Sequence, residues 1–404
     1  MAERRYEHAP AHTLPGLLQR GRGLGARMAA EDPAAAAGLV YGCLRWDWRW
    51  DRQTDDRHLY LARLLRDLEL PLGPVIELLA HGEDACERAA RVLELLALDG
   101  SVEAREALRA HVREGEHWAA VLESVAGAWP VEWWDDLAGP ARERLKGHPE
   151  DRWGEPWDRW GSAAPRPGRA VGLRDPMPEV ASARLLELLA DPAAPENRKV
   201  TALGALAARA PEPGLVPLVP SLGAADGALA LPRLPAVVRG LGAPAVPAAR
   251  EWAGTGKPWL VALGCQVLAE HGEAEDVPML VAALERDWVA RTWAGPMYTA
   301  RGLARFGPGA AEAVSLLRRF WLWTPHSYER AAYLEALAEI GPAGLESVHV
   351  ECLWDCEEDA RLLGVAHAPD RPEVRERLAY LRDDPMEEAG VRAAAGERLA
   401  ALTP

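Results

Sequence analysis

Along most of this chain apolar residues recur every three or four positions, the spacing of amphipathic helices rather than of strands. From Lys257 to Pro369 the pattern also repeats on a longer scale. Leu268-Ala269-Glu270-His271-Gly272 returns as Leu303-Ala304-Arg305-Phe306-Gly307 and again as Leu337-Ala338-Glu339-Ile340-Gly341, with the glycines 35 and 34 residues apart. A period of that size marks a repeat architecture. In each copy the Leu-Ala pair closes the apolar stripe of one helix, and the glycine is expected to end it in the left-handed conformation. A second apolar helix follows, Val277 to Trp288, Ala310 to Trp321 and Pro342 to Trp354. One such hairpin cannot bury its apolar face alone, whereas stacked hairpins can.

Outside this stretch the pattern is looser. Leu14 to Met28 has helical spacing interrupted by Gly16, Gly21, Gly23 and Gly25, so residues 1–30 are expected to form a loose tail or cap. Helices are predicted for Leu72–His81, Asp84–Leu98, Val102–Glu114, His117–Ala128 and Val131–Leu145, giving a first array over 31–148. The prolines of 149–176 exclude a continuous helix and make that stretch a break. Repeats resume over 177–404 and end in a charged pair, Pro372–Leu381 and Met386–Leu402, suited to a polar outer face.

This pattern resembles the HEAT-repeat superfamily, and Trp50-Asp51-Arg52-Gln53 with Asp56-Arg57 and Tyr60-Leu61-Ala62-Arg63-Leu64 resembles the opening of actinobacterial HEAT-repeat proteins. The expected fold class is all-α, an α-solenoid of stacked antiparallel helical hairpins. The resemblance implies an architecture and no reaction.

Charge and cysteine content narrow the function. The net charge is −15 across 404 residues, which opposes nucleic acid as the main partner. Five scattered cysteines form no disulfide framework, as in a reducing compartment. No signal-peptide core and no apolar run of about 18 residues is found. A cytoplasmic protein with no membrane partner is expected.

Ten of the 17 tryptophans fall between Trp46 and Trp160, many beside arginine. Exposed tryptophan and arginine are typical anchors of binding surfaces. The residues assigned to contact are Trp46, Arg49, Trp50 and Arg52, together with Arg152, Trp153, Trp157, Arg159 and Trp160 of the break. The competing expectation is that the break folds back and buries its rings. His349, Cys352 and Cys356 could share one helical face as metal ligands; as Cys352 follows an inward-facing Val348 by one turn, core packing is preferred and no metal or cofactor is assigned. His81-Gly82-Glu83 and His271-Gly272-Glu273 resemble the His-Glu pairs of HEAT-repeat di-iron hydroxylases, but the intervening glycine departs from that pattern, so no ligand is carried over. The chain has no nucleotide-binding loop and no hydrolase or metalloprotease motif. The reading that follows is a non-enzymatic scaffold binding a protein or peptide on a concave face. The alternative is a repeat-built enzyme resembling the HEAT-like alkylpurine DNA glycosylases, which grip DNA with Trp, Arg and Asp, the residue types of 46–57.

Overall fold

The computed structural model describes residues 7–145, 154–161, 176–224 and 226–402. These are helices and turns, and the extended pairing among them is an isolated bridge between Gly223 and Ala230. Among the described residues no helix is long and apolar enough to cross a membrane. The chain divides into two compact units. The first comprises Met1–Pro167, Trp323–Ala331 and Gly344–Pro404, and the second comprises Gly168–Leu322 and Ala332–Ala343. The units therefore cut across the expected division at 149–176, since residues 344–404 belong with the N-terminal helices.

In the second unit helices pack largely in chain order. Ser182–Ala190 lies on Glu196–Ala207, and that helix on Leu234–Leu241; Val246–Ala253 lies on Pro258–His271, and that helix on Pro296–Ala304. Arg305 strengthens this stacking by donating to Ala269 O at 2.7 Å and Gly272 O at 3.1 Å, carbonyls left open at the end of the preceding repeat's helix. Arg144 does the same in the first unit for Val112 O and Gly115 O, at the end of Val102–Glu114.

The repeat glycines do not share one role. Gly307 has φ +50°, whereas Gly272 has φ −68° and Gly341 is not left-handed. At Gly272 the requirement is space, because a Cβ would lie 2.5 Å from Leu268 O and 2.9 Å from Asp276 Oδ2. Asp276 needs that approach, for its carboxylate accepts the Glu273 N–H at 2.8 Å to close a capping box.

In the first unit, a loose tail or cap is replaced by two helices, Leu14–Gln19 and Gly23–Glu31, with Arg20 and Arg22 buried. The glycines that weaken the helical pattern permit close packing instead: a Cβ on Gly23 would lie 1.9 Å from Glu351 O. Arg22 Nε meets Glu351 Oε1 at 2.6 Å. The predicted helix Val131–Leu145 is broken into two 3-10 turns, Val131–Trp133 and Asp135–Leu137, before helix Ala138–Leu145. Pro140 accounts for the break: inside a longer helix it would remove a bond, whereas in the first turn its missing N–H costs nothing.

Candidate functional site

The segment after helix Pro33–Arg45 is held by its own acids. Asp47 binds Arg49 at 2.8 Å, Arg52 at 3.2 Å and Arg88 at 3.9 Å. Asp55 is fully buried and gathers a larger set. Its Oδ2 accepts the backbone N–H groups of Trp50 at 2.9 Å and Asp51 at 3.0 Å. Its Oδ1 lies 2.8 Å from His326 Nδ1 and accepts from Ser327 Oγ at 3.0 Å and Tyr328 N at 3.1 Å. Burial alone would raise its pKa, but His326, with Arg57 nearby, holds the carboxyl well below the usual range. The Trp50 ring packs 4.9 Å from the His326 ring. Thus Arg49 and Trp50 are half-buried, while Trp46 and Arg52 are exposed.

Residues 154–161 of the break pack within the first unit. Trp157 is fully buried, its Nε1 donates to Glu123 Oε1 at 2.7 Å, and its ring meets Trp118 at 6.2 Å and Trp160 at 5.8 Å. Trp160 is half-buried against Trp134, and its Nε1 donates to Asp135 Oδ1 at 3.0 Å. Arg159 is exposed and shares Asp135. Trp157 is therefore corrected from a contact residue to an interior one. Its ring has aromatic neighbours on its edges, and its donor has a partner. Arg152 and Trp153 lie outside the described residues.

His349, Cys352 and Cys356 are all buried but turn to different neighbours. The His349 ring packs at a tilt against that of His367, with ring centres 5.2 Å apart. Cys356 Sγ receives Arg330 Nη2 at 3.2 Å. Burial pushes both thiols up, away from the thiolate that binds metal. Among the described residues no group of three or more His, Cys, Asp or Glu side chains is arranged to hold a metal ion.

The site that the sequence reading missed is a groove in the second unit, with a cavity volume of about 690 Å³. Two helical stripes line it. Pro258, Val261, Ala262, Cys265 and Gln266 come from helix Pro258–His271, and Ala283, Arg286, Asp287 and Ala290 come from helix Val277–Ala290. Both follow i, i+3, i+4, i+7 spacing, so each is one face of its helix. The small side chains among them, Ala262, Cys265, Ala283 and Ala290, leave the space between the helices. Tyr298, 49% exposed, stands at the edge on helix Pro296–Ala304. Arg239 pairs with Glu270 at 3.4 Å, and the Gln266 carboxamide oxygen, oriented to satisfy both groups, accepts from Arg239 Nε at 3.1 Å. Arg286 is exposed and donates to the Cys265 thiol at 3.7 Å. The available signal was the run of small residues on one helical face, where a core-facing stripe would carry large ones.

No family model, curated protein or solved structure matches the chain.

Proposed function

We propose that the chain is a non-enzymatic scaffold of the HEAT-like α-solenoid kind, acting in the cytoplasm, and that the groove of its second unit receives an extended peptide segment of a protein partner. The observation that carries this reading is the groove, where Ala262 and Cys265 of one helix and Ala283 and Ala290 of the next leave space beside the polar Gln266, Arg286 and Asp287. Alanine and glycine let a peptide backbone approach closely, while Tyr298 and Gln266 supply a ring face and hydrogen-bonding groups at the rim. Arg286 favours a segment bearing a carboxylate, since among the described residues its guanidinium is hydrogen-bonded to the Cys265 thiol and to no carboxylate. Chain-order stacking in this unit supports the solenoid reading. The alternative of a DNA-acting enzyme draws no support from Trp46–Arg57, where Asp47 holds Arg49, Arg52 and Arg88.

The test is a photocrosslinking residue at position 298 with capture of its covalent partner. The expected result is a crosslinked peptide that disappears when Ala262→Trp fills the groove and when Arg286→Glu reverses the rim charge, in variants that melt like the parent. The same crosslink at the same yield in Ala262→Trp would overturn the proposal.

A further inference from the structure

Helix Glu358–His367 packs on helix Glu346–Cys352 within the first unit. Gly364 is what lets them come so close, because a Cβ there would lie 2.9 Å from both His349 O and Leu353 N. His367 follows Gly364 by three residues, on the same face of its helix. It is thereby brought against His349, one imidazole from each helix, with ring centres 5.2 Å apart and planes tilted by 36°.

The polar atoms of both rings are unused. Among the described residues neither ring makes a hydrogen bond or an ion pair with the chain. A neutral imidazole carries one donor and one acceptor, so each ring keeps its full capacity. The pair is also open to a ligand. His367 is exposed, and His349 keeps 9% of its surface. The His349 nitrogens are not among the sealed, unanswered atoms of the described chain, so they reach solvent. Burial, and then the neighbouring His367 charge, holds the His349 pKa below its ordinary value. That ring is therefore neutral near pH 7, the form that binds metal.

We infer that His349 and His367 together bind one divalent transition-metal ion of the zinc class, each through one ring nitrogen, with water completing the shell. With zinc–nitrogen bonds of about 2.0–2.1 Å the ion lies about 3.2 Å from each ring centre, so two imidazoles at a tetrahedral angle have centres about 5.2 Å apart. The two rings stand at that spacing. Imidazole nitrogen suits zinc, copper and nickel, whereas magnesium and calcium take oxygen ligands. The side chains one turn away on the His349 helix are engaged elsewhere: Cys352 is sealed in the core, and Glu346 is held by Arg371 at 3.1 Å. Two protein ligands make an exchangeable site, unlike the four that close a structural zinc centre. An ion held between the two helices favours the folded state and so stabilises it. The pair shares no residue with the groove, so either reading can fail alone.

The experiment uses the untagged, chelator-treated chain in a non-coordinating buffer. Zinc is titrated by calorimetry and by melting temperature, magnesium is the control, and copper(II) is the spectroscopic probe. One zinc ion per chain is expected to bind and to raise the melting temperature, and magnesium to do neither. The electron paramagnetic resonance spectrum of bound copper(II) is expected to show coupling to two imidazole nitrogens. His367→Gln removes a ligand from an exposed position, so without metal it is expected to melt like the parent. It is expected to weaken zinc binding by about tenfold or more, because the second imidazole acts intramolecularly. His81→Gln, at an exposed histidine outside the pair, is expected to leave binding unchanged. No zinc uptake would overturn the inference, as would equal affinity in His367→Gln or a copper spectrum with a single imidazole.

Discussion

Glu357 sits beside the buried cluster of Asp55, His326 and Arg330, and its own burial pushes its pKa up to about 7. Asp55 and Asp355 add to the rise, and Ser327 and Arg330 oppose it. In the unfolded chain the same carboxyl ionises near 4.5, so between those values the folded state holds more protons. Stability from this group therefore falls as pH rises through that window. The shift corresponds to about 3 kcal/mol in order of magnitude. His326 acts in the same direction: its pKa is raised through Asp55 despite burial, so its contribution is present below 6.5 and is lost as pH climbs through its folded value. Asp55 has a depressed pKa and loses its contribution only as pH falls below the ordinary carboxylate range. Glu357→Gln is expected to match the parent at pH 5, to exceed it at pH 8, and to flatten the parent's decline in melting temperature between them. An unaltered decline would mean that the proton is not on Glu357. None of this could be read from the sequence. Glu357 is one of 61 acidic residues, and what sets it apart is burial beside residues 27 to 302 positions away. Trp157 hid its role for the same reason: its partners Trp118 and Glu123 lie in another helix.

At the scale of elements, local chemistry is what the sequence carries well. Helix Val102–Glu114 has the predicted ends, because Ser101 accepts the Ala104 N–H at 3.2 Å and Gly115 follows the last turn. Helix Pro372–Asp383 begins at the predicted proline. Contact between helices is less visible. Gly302 lies inside helix Pro296–Ala304, where propensity alone favours alanine by about 1 kcal/mol. A Cβ there would lie 2.5 Å from both Cα and Cβ of Ala269, on helix Pro258–His271. The two helices touch through the missing methyl group. Gly302→Ala is thus expected to destabilise by about 1–3 kcal/mol, against its propensity, because the neighbouring backbone must move. Urea denaturation should show a lower midpoint with an unchanged slope. A higher midpoint would show that the helices stand further apart and that propensity governs this position.

At the scale of the whole molecule, the repeat period invites a picture in which each hairpin touches only its neighbours. The first unit adds contacts of another kind. Arg63 Nε donates to Asp384 Oδ2 at 2.8 Å and its Nη2 to Glu387 Oε2 at 2.9 Å, and Glu387 Oε1 also binds Arg361 at 2.8 Å. The side chains of Asp384 and Glu387 are 1% and 0% exposed. No periodicity marks such pairs, since charged positions on a repeat read as solvated until their partner, 321 residues later, is known. Removing one member of a buried ionic set leaves the others uncompensated, typically a loss of about 3–5 kcal/mol. Arg63→Met keeps much of the side-chain volume and removes the charge, so it isolates that effect. Hydrogen exchange then separates two structures. If helix His58–Asp67 met only its sequence neighbours, protection would fall there and nearby and leave helix Pro372–Asp383 intact. With Asp384 and Glu387 left under-compensated, each to a single arginine, protection is expected to fall in both helices together. Arg361 still faces Glu387 and Arg66 still faces Asp384; because Arg66 also keeps Asp67 and Asp99, removing the surplus charge by Asp384→Asn in the Arg63→Met background should recover part of the loss. Recovery would show that the stranded charge, rather than lost packing around Arg63, had loosened the two ends.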